Sequence, residues 1–197
     1  MRSRFLPEGR LLHTPENEAA CASCDGLRRA MEEGTVLEGV AQLCDGAHNL
    51  LVSVGPFTGF LPREEAALGI AEGTTREIAI LSRVGKPVCF QITALEESEG
   101  VLRPRLSRRR AQQAALDAML AGLHPGCILP AVVTHLESFG AFVDIGCGVP
   151  SLIGIENISV SRIHHSNQRF QEGQKILAAV YRIDPENRRI TMSHREL

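Results

Sequence analysis

The stretch Phe-Gly-Ala-Phe-Val-Asp-Ile-Gly at residues 139–146 decides the fold of the second half of this chain. Within it, Ala141, Val143 and Ile145 alternate with Gly140, Phe142 and Asp144. Such a period of two is typical of a half-buried β-strand. Side chains two positions apart lie on the same face of a strand. The inward face is therefore predicted to carry Ala141, Val143 and Ile145.

The other face of this strand carries Phe142 and Asp144. An aspartate is rarely buried without a partner, so we expect this face to be exposed and Phe142 to point outward. Gly140 can bulge the strand and turn Phe139 to the same side. Two outward rings would form a stacking platform for unpaired bases, whereas the alternative is that both rings fill gaps in the core.

Short apolar runs separated by turn residues recur along the chain. Five of them lie at residues 128–135, 139–145, 152–158, 176–183 and 190–193. The first half has five more, at residues 36–43, 50–54, 57–61, 88–94 and 101–106. Both halves have a long insert after the third run, which is the plan of the five-stranded OB-fold barrel. We therefore predict an all-β chain with two small five-stranded OB-fold barrels.

The sequence predicts four segments. An N-terminal helical arm over residues 1–33 precedes the first barrel at 34–106, and a connecting helix at 107–123 precedes the second barrel at 124–197. Ser107 is a good N-cap for the connecting helix. Three arginines follow it at residues 108–110. They are interpreted either as a solvated basic patch or as phosphate contacts.

Charge is distributed unevenly along the chain, although the formal net charge is only −2. Residues 1–99 carry −6, residues 100–123 carry +4, and residues 124–197 are neutral. Phosphate contacts supply most nonspecific affinity for nucleic acid, so the acidic first half is a poor candidate for binding it. The arginine-rich joint and the second half are better candidates.

Cysteines and hydropathy indicate a cytoplasmic protein. The N-terminus lacks a signal peptide, and no apolar run is long enough to span a membrane, so we expect six reduced thiols and no membrane partner.

A candidate zinc site consists of Cys21, Cys24, Cys44 and His48, whose spacings could hold the metal. We favour ordinary thiols, because the first two lie in a predicted helix. No catalytic motif is found, so we expect no enzyme, no cofactor and no metal.

Several motifs of the second half occur in a familiar order. They are His-Pro-Gly at 124–126, the stretch at 139–146, Ile-Ser at 158–159, Phe-Gln-Glu-Gly-Gln at 170–174 and Arg-Ile-Thr-Met-Ser at 189–193. Together they closely resemble the S1 domain, the RNA-binding module that is repeated in bacterial ribosomal protein S1. The first half resembles the same module more faintly, around residues 50–55, 59–62 and 106–108. The chain thus resembles a short, two-module relative of ribosomal protein S1, with S1-type OB-fold barrels.

The resemblance implies an RNA-binding face on the second barrel. The family's two aromatics correspond to Phe139 and Phe142, and its Asp and Arg correspond to Asp184 and Arg189. The family's His corresponds to Asn157, whose side chain can still hydrogen-bond a base edge. Arg189 could instead form a surface salt bridge with Asp184 or Glu186.

A cationic insert and the first barrel complete the predicted sites. Arg162, with His164, His165 and Arg169 nearby, is interpreted as an RNA contact or as polar loop filler. In the first barrel the two aromatic positions hold His48 and Leu51, and only Arg103 matches the family's Arg. We expect that this barrel has lost its RNA surface.

The expected function is non-enzymatic binding of single-stranded RNA in translation. The second module is expected to hold the RNA, with messenger RNA as the candidate, and the first is expected to dock on a protein, with the small ribosomal subunit as the candidate. The alternative is an RNA-delivery or specificity subunit of a nuclease or another RNA-processing complex.

Overall fold

Ten β-strands form two separate five-stranded barrels within residues 5–195 and Leu197, the part of the chain that the computed structural model describes. One compact unit is Glu8–Ala114, and the other consists of the residues up to Pro7 together with Ala115–Leu197. Each unit contains one barrel. The predicted fold class is therefore confirmed, while the predicted domain boundaries at residues 33, 106 and 123 remain a proposal.

The first barrel closes in the strand order β1-β2-β3-β5-β4. Its strands are β1 (Leu37–Cys44), β2 (Leu50–Val54), β3 (Phe57–Leu61), β4 (Pro87–Ser98) and β5 (Val101–Ser107). All pairs are antiparallel except β3 with β5. The predicted alternation is observed in β2, where Leu50, Val52 and Val54 are fully buried. Burial of these branched side chains is the main force that closes the barrel.

Two helices lie before the first barrel, where the sequence predicted one. They are α1 (Pro15–Cys21) and α2 (Cys24–Glu33). Ser23 separates them because it adopts an extended backbone, and its side chain accepts a hydrogen bond from the Gly26 backbone N–H. A serine hydroxyl at this position satisfies a free backbone donor, so it begins a new helix rather than continuing the old one. Gly34 ends α2 with a left-handed φ of 63°.

Two buried carboxylates hold the N-terminal segment to the first barrel. Glu38 of β1 accepts hydrogen bonds from the backbone N–H groups of Gly9, Leu11 and Leu12, at 2.7, 3.0 and 2.6 Å. Glu8 is almost fully buried, and its two carboxylate oxygens accept from Arg108 at 2.7 and 2.9 Å. Burial alone would raise the pKa of Glu8, but the Arg108 and Arg83 guanidiniums hold it below its ordinary value.

The third helix is the short α3 (Ile78–Leu81), and the fourth is α4 (Arg108–Gly122). Ser107 accepts from the Arg110 backbone N–H at 3.0 Å, as expected of an N-cap. Neither predicted role fits Arg108, because its side chain is buried against Glu8 rather than solvated or available to phosphate. Arg109 pairs with Glu72. Among the described residues, no helix is both long enough and apolar enough to cross a membrane.

The second barrel closes in the order β10-β8-β7-β6-β9. Its strands are β6 (Ile128–Glu137), β7 (Gly140–Asp144), β8 (Pro150–Gly154), β9 (Lys175–Asp184) and β10 (Arg189–Ser193). Only β10 and β8 are parallel. The third strand ends at Gly154 rather than at residue 158, and a 3₁₀ turn at Ile155–Asn157 follows it. A second 3₁₀ turn lies at Ser166–Gln168.

Candidate nucleic-acid interface

One row of side chains crosses the outer face of the second barrel. His135 of β6 is paired in register with Phe142 of β7, which is paired with Leu152 of β8. Leu152 is paired with Thr191 of β10, which is paired with Arg182 of β9. Residues that pair directly across neighbouring strands point to the same face of the sheet. The row therefore joins all five strands, with Phe142 near one end.

The rings of this face are in contact. Phe139 and Phe142 meet edge to face, with 6.2 Å between ring centroids and 89° between ring planes. Phe142 also stacks with His135, with 6.5 Å between ring centroids and 25° between ring planes. Phe139 is 54% exposed and Phe142 is half-buried, so both rings lie on the surface as expected. The three rings form a continuous aromatic surface, called here the ring platform.

Phe139 reaches the ring platform from a turn rather than through a bulge. It lies between β6 and β7, and its carbonyl accepts from the Ile155 backbone N–H at 2.9 Å. Gly140 begins β7 in regular register opposite Gly154, so the bulge predicted at Gly140 is absent. A Cβ at Gly140 would collide with the Ile153 carbonyl oxygen. Glycine is required here for close approach of the two strands.

The bulge lies on the neighbouring strand and determines which residue faces Phe142. Val133 is paired with Val143, and the next pair along is His135 with Phe142, so Thr134 is the extra residue. A β-bulge leaves one residue unpaired and shifts the alternation beyond it. His135 consequently points outward beside Phe142. His135 is not among the site residues predicted from the sequence, because strict alternation from Val133 would place it on the inner face.

Two carboxylates contact His135. Its Nε2 lies 2.9 Å from Glu137 Oε1, and its Nδ1 lies 3.2 Å from Glu172 Oε1. These hydrogen bonds, that of Glu137 first and that of Glu172 second, raise the pKa of His135 above its ordinary value. The two contacts therefore favour the imidazolium form of His135 on the ring platform.

Asp184 and Arg189 lie next to this row. They are paired across β9 and β10, and Arg189 is two residues from Thr191, hence on the same face. Asp184 accepts from the Asn187 backbone N–H at 3.1 Å and from its side-chain amide at 2.8 Å. The hydrogen bonds from Asn187 lower the pKa of Asp184. Within the described part of the chain, Arg189 forms no ion pair, so its alternative role in a salt bridge with Asp184 is not observed.

Asn157 and Arg162 lie beyond the strands. Asn157 ends the 3₁₀ turn whose first residue, Ile155, binds the Phe139 carbonyl, so the turn is held to the Phe139 end of the face. Its carbonyl accepts from the His194 backbone N–H at 2.8 Å. Arg162 is exposed in the loop between β8 and β9. The structure thus brings Phe139 and Phe142 into contact and places Asp184 and Arg189 on β9 and β10, at the other end of the row. Asn157 and Arg162 lie outside the strands.

The environment of Asp144 differs from the one used to orient Phe142. Asp144 is buried, and its Oδ1 accepts from the backbone N–H groups of Gly146 at 2.8 Å and Gly148 at 2.9 Å. Its burial is satisfied by a tight turn in which Cys147 has a φ of 53°. The expectation that Asp144 marks an exposed face is therefore wrong, although Phe142 does lie at the surface.

The first barrel has a different set of side chains in the corresponding row. The row across its five strands consists, in order of pairing, of Leu43, Leu51, Phe60, Arg105 and Ala94. Leucines thus stand where the second barrel has His135 and Phe142. The Arg105 guanidinium lies over the Phe60 ring at 5.8 Å and therefore covers part of it.

The four candidate zinc ligands do not come together. His48 lies in the β1–β2 turn, where its Nδ1 is 2.7 Å from Glu77 Oε2. Cys21 is buried, which raises the pKa of its thiol to about 11, and Cys24 is exposed. Residues 5–195 and Leu197 contain no group of three or more His, Cys, Asp or Glu that could hold a metal ion.

Comparisons with known proteins identify the second barrel. The family of the S1 RNA binding domain matches residues 123–195, which contain the whole ring platform. Small ribosomal subunit protein bS1 of Neisseria meningitidis serogroup B is 26% identical over 188 residues, or 92% of this chain and 31% of that protein. The bS1 protein of Leuconostoc lactis is 30% identical over 165 residues, or 83% of this chain and 37% of that protein.

A solved structure also resembles part of the chain. In the a/eIF2alpha-aDim2p-rRNA complex from Pyrococcus horikoshii OT3, one chain matches 38% of this chain and 45% of its own length, at 26% identity and a TM-score of 0.36. The chain spans about a third of the length of the two bS1 relatives. Residues 123–195 are thus an S1 RNA binding domain, and most of the chain is similar to bS1 proteins.

Proposed function

We propose that the second barrel binds single-stranded RNA on the face that carries Phe139 and Phe142. The observation that carries this proposal is the exposed edge-to-face pair at 6.2 Å, which lies inside the segment that matches the S1 RNA binding domain. Unpaired bases stack on such rings with about 1–3 kcal/mol per base. A duplex keeps its base faces covered, so single strands should be preferred.

The polar residues around the rings have separate roles in this proposal. Arg189, exposed at the start of β10, contacts phosphate or stacks on a base. The Asp184 carboxylate accepts hydrogen bonds from base edges and the 2′-hydroxyl, and the Asn157 amide accepts or donates them. Arg162 contacts the phosphate backbone beyond the strands. The protein needs no catalytic step and no cofactor for this task.

The wider function that we propose is a cytoplasmic role in translation, with messenger RNA on the second barrel and protein docking by the first. The similarity to bS1 proteins over most of this chain supports the link to translation and to the small ribosomal subunit. Leu43 and Leu51 support docking, because aliphatic side chains in place of rings favour apolar protein contacts over base stacking.

Crosslinking in cells followed by sequencing of the bound RNA tests this function. The wild-type chain should crosslink to messenger RNA and sediment with the small ribosomal subunit. Phe139→Ala with Phe142→Ala should lose the RNA crosslinks but still sediment with the subunit, because docking is assigned to the first barrel. Co-purification with a nuclease in place of the ribosome would contradict the role in translation.

A further inference from the structure

His135 has the geometry of a binding residue. Its side chain is 58% exposed, and its ring lies nearly parallel to that of Phe142, with 6.5 Å between centroids. The Phe142 ring also contacts that of Phe139, edge to face, with 6.2 Å between centroids. A strand of RNA that stacks on the two phenylalanines would therefore meet the imidazole at the next position along the ring platform.

The two carboxylates fix both the orientation and the charge of this imidazole. Neutral histidine has one N–H donor, whereas the imidazolium has two. Both ring nitrogens of His135 lie within hydrogen-bond distance of a carboxylate oxygen, so only the imidazolium can satisfy both contacts. The burial cost of this charge is small because the group is exposed.

Glu137 and Glu172 come from different elements, and both are anchored. Glu137 is the last residue of β6, and its carbonyl accepts from the Ser166 hydroxyl at 2.7 Å. Glu172 lies in the turn before β9, where the Gly173 backbone N–H donates to the Val133 carbonyl at 2.7 Å. Their placement beside His135 is therefore built into the barrel rather than left to free surface side chains.

We propose that His135 is a third base-contacting ring of this face, and that its imidazolium form, held by Glu137 and Glu172, makes RNA binding tighter in mildly acidic than in mildly alkaline solution. Such a role rests on the proposed RNA-binding function of Phe139 and Phe142. Glu137 and Glu172 act as positioning residues, because they are argued to work through the imidazole.

The charges around His135 explain the direction of the effect. With the imidazolium, the group of three side chains carries one net negative charge, and with neutral imidazole it carries two. The charged groups that face His135 are Glu137 on its own strand and Glu172 from the turn before β9, while β7 contributes the uncharged Phe142. Lys175, the first residue of β9, is in register with Val132 of β6 and not with His135. Deprotonation therefore places more negative charge where a phosphate chain must approach.

The test uses the full chain and a short labelled single-stranded RNA, titrated between about pH 5.5 and 8.5 at constant ionic strength. Wild-type affinity should fall as the pH rises. His135→Ala should weaken binding by about 5- to 150-fold, the range expected for one lost stack. His135→Phe should keep the ring and lose the part of the pH dependence that belongs to His135. His124→Ala, an exposed histidine away from the strands, is the matched control and should change nothing.

A second readout follows the imidazole itself by NMR. If the charged form binds RNA better, the pKa of His135 must rise further when RNA is added, because binding and protonation are linked. Glu137→Gln with Glu172→Gln should move the midpoint of the affinity profile to lower pH. A structural role alone would not produce either shift.

The outcomes separate this role from the proposed function. If His135→Ala binds RNA as tightly as wild type while Phe142→Ala is weakened, the role of His135 is wrong and the proposed function stands. If Phe139→Ala with Phe142→Ala binds normally, the proposed function itself is wrong. If His135→Phe keeps the full pH dependence, or RNA leaves the pKa of His135 unchanged, the imidazolium has no part in binding and the proposal is overturned.

Discussion

The rings of Phe139 and Phe142 touch edge to face although one belongs to a turn and the other to a strand. The Ile155 backbone N–H holds the turn, and the pairing with Leu152 holds the strand. Because the backbone of both residues is held and the two rings pack on each other, a base that stacks on them requires little rearrangement of the site. Preorganised rings on a domain without net charge suggest that stacking contributes more to binding than charge does.

The salt dependence of RNA binding should therefore be shallow. The second barrel exposes four arginines that could contact phosphate, namely Arg162, Arg169, Arg182 and Arg189. In the helix α4, Arg108 is buried and Arg109 is paired with Glu72. With about three or four phosphate contacts on a single strand, log K against log salt should have a slope of roughly −2 to −3. Titration of the full chain with short RNA at several salt concentrations measures it. A much steeper slope would mean that charge dominates.

Crosslinks to RNA should be confined to the second barrel. Leu43 and Leu51 offer no ring in the first barrel, and Phe60 is partly covered by Arg105. Ultraviolet irradiation of the full chain with single-stranded RNA, followed by mass spectrometry of the peptides, maps the adducts. We expect them around Phe139 and Phe142. Adducts of similar yield at Phe57 or Phe60 would show that the first barrel also binds RNA.

Asp144→Ala should destabilise the second barrel. The change leaves the backbone donors of Gly146 and Gly148 without the carboxylate that accepts from them, at a cost of about 1–3 kcal/mol. Urea unfolding followed by the fluorescence of Tyr181 measures this barrel, because the chain has one Tyr and no Trp. Asp144→Asn retains an acceptor oxygen and should lose less. Equal stability of Asp144→Ala and wild type would mean that the turn does not depend on this carboxylate.

Glu8→Gln should destabilise the first barrel near neutral pH by about 3–5 kcal/mol, because it removes the negative charge that is paired with the buried Arg108. The pKa of Glu8 is lowered in the folded protein, so its stabilisation is complete above the pKa of the unfolded chain. It is lost as the pH falls through the folded value. The difference between wild type and variant should therefore shrink in acid.

Hydrogen exchange of the buried amides in β2 measures this difference at each pH. Glu96→Gln is the matched control, since Glu96 forms an exposed ion pair with Arg105 that should contribute at most about 1 kcal/mol. If the Glu8 variant is as stable as wild type at neutral pH, the buried pair does not hold the N-terminal segment.

Local sequence patterns were sufficient for the strands and the fold class. Alternation in β2 and the residues 139–146 predicted which side chains are buried, because a strand with one buried face follows a period of two. The outward position of the two phenylalanines also followed, although the reason given for it, an exposed Asp144, is wrong. Asn157 was expected on a strand, and the strand ends three residues earlier at Gly154.

Features that depend on distant parts of the chain could not be predicted. Arg108 is buried in an ion pair with Glu8, which lies 100 positions away in the chain. Sequence spacing gives no sign of such a distant pair. His135 faces Phe142 only because Thr134 forms a bulge, which interrupts the period of two. Glu172 reaches His135 from a turn 37 positions along the chain. Each of these contacts forms only when the chain has folded into its barrel.

The role of Phe139 and Phe142 as the RNA-binding surface is tested by one affinity measurement. Phe139→Ala with Phe142→Ala in the full chain is titrated with a short single-stranded RNA, beside wild type and Phe60→Ala. The double variant should lose about 1–3 kcal/mol of binding free energy per ring and keep the unfolding transition reported by Tyr181. Phe60→Ala should bind as wild type does. If the double variant binds normally, or if its second barrel unfolds, the two rings are not the RNA-binding surface.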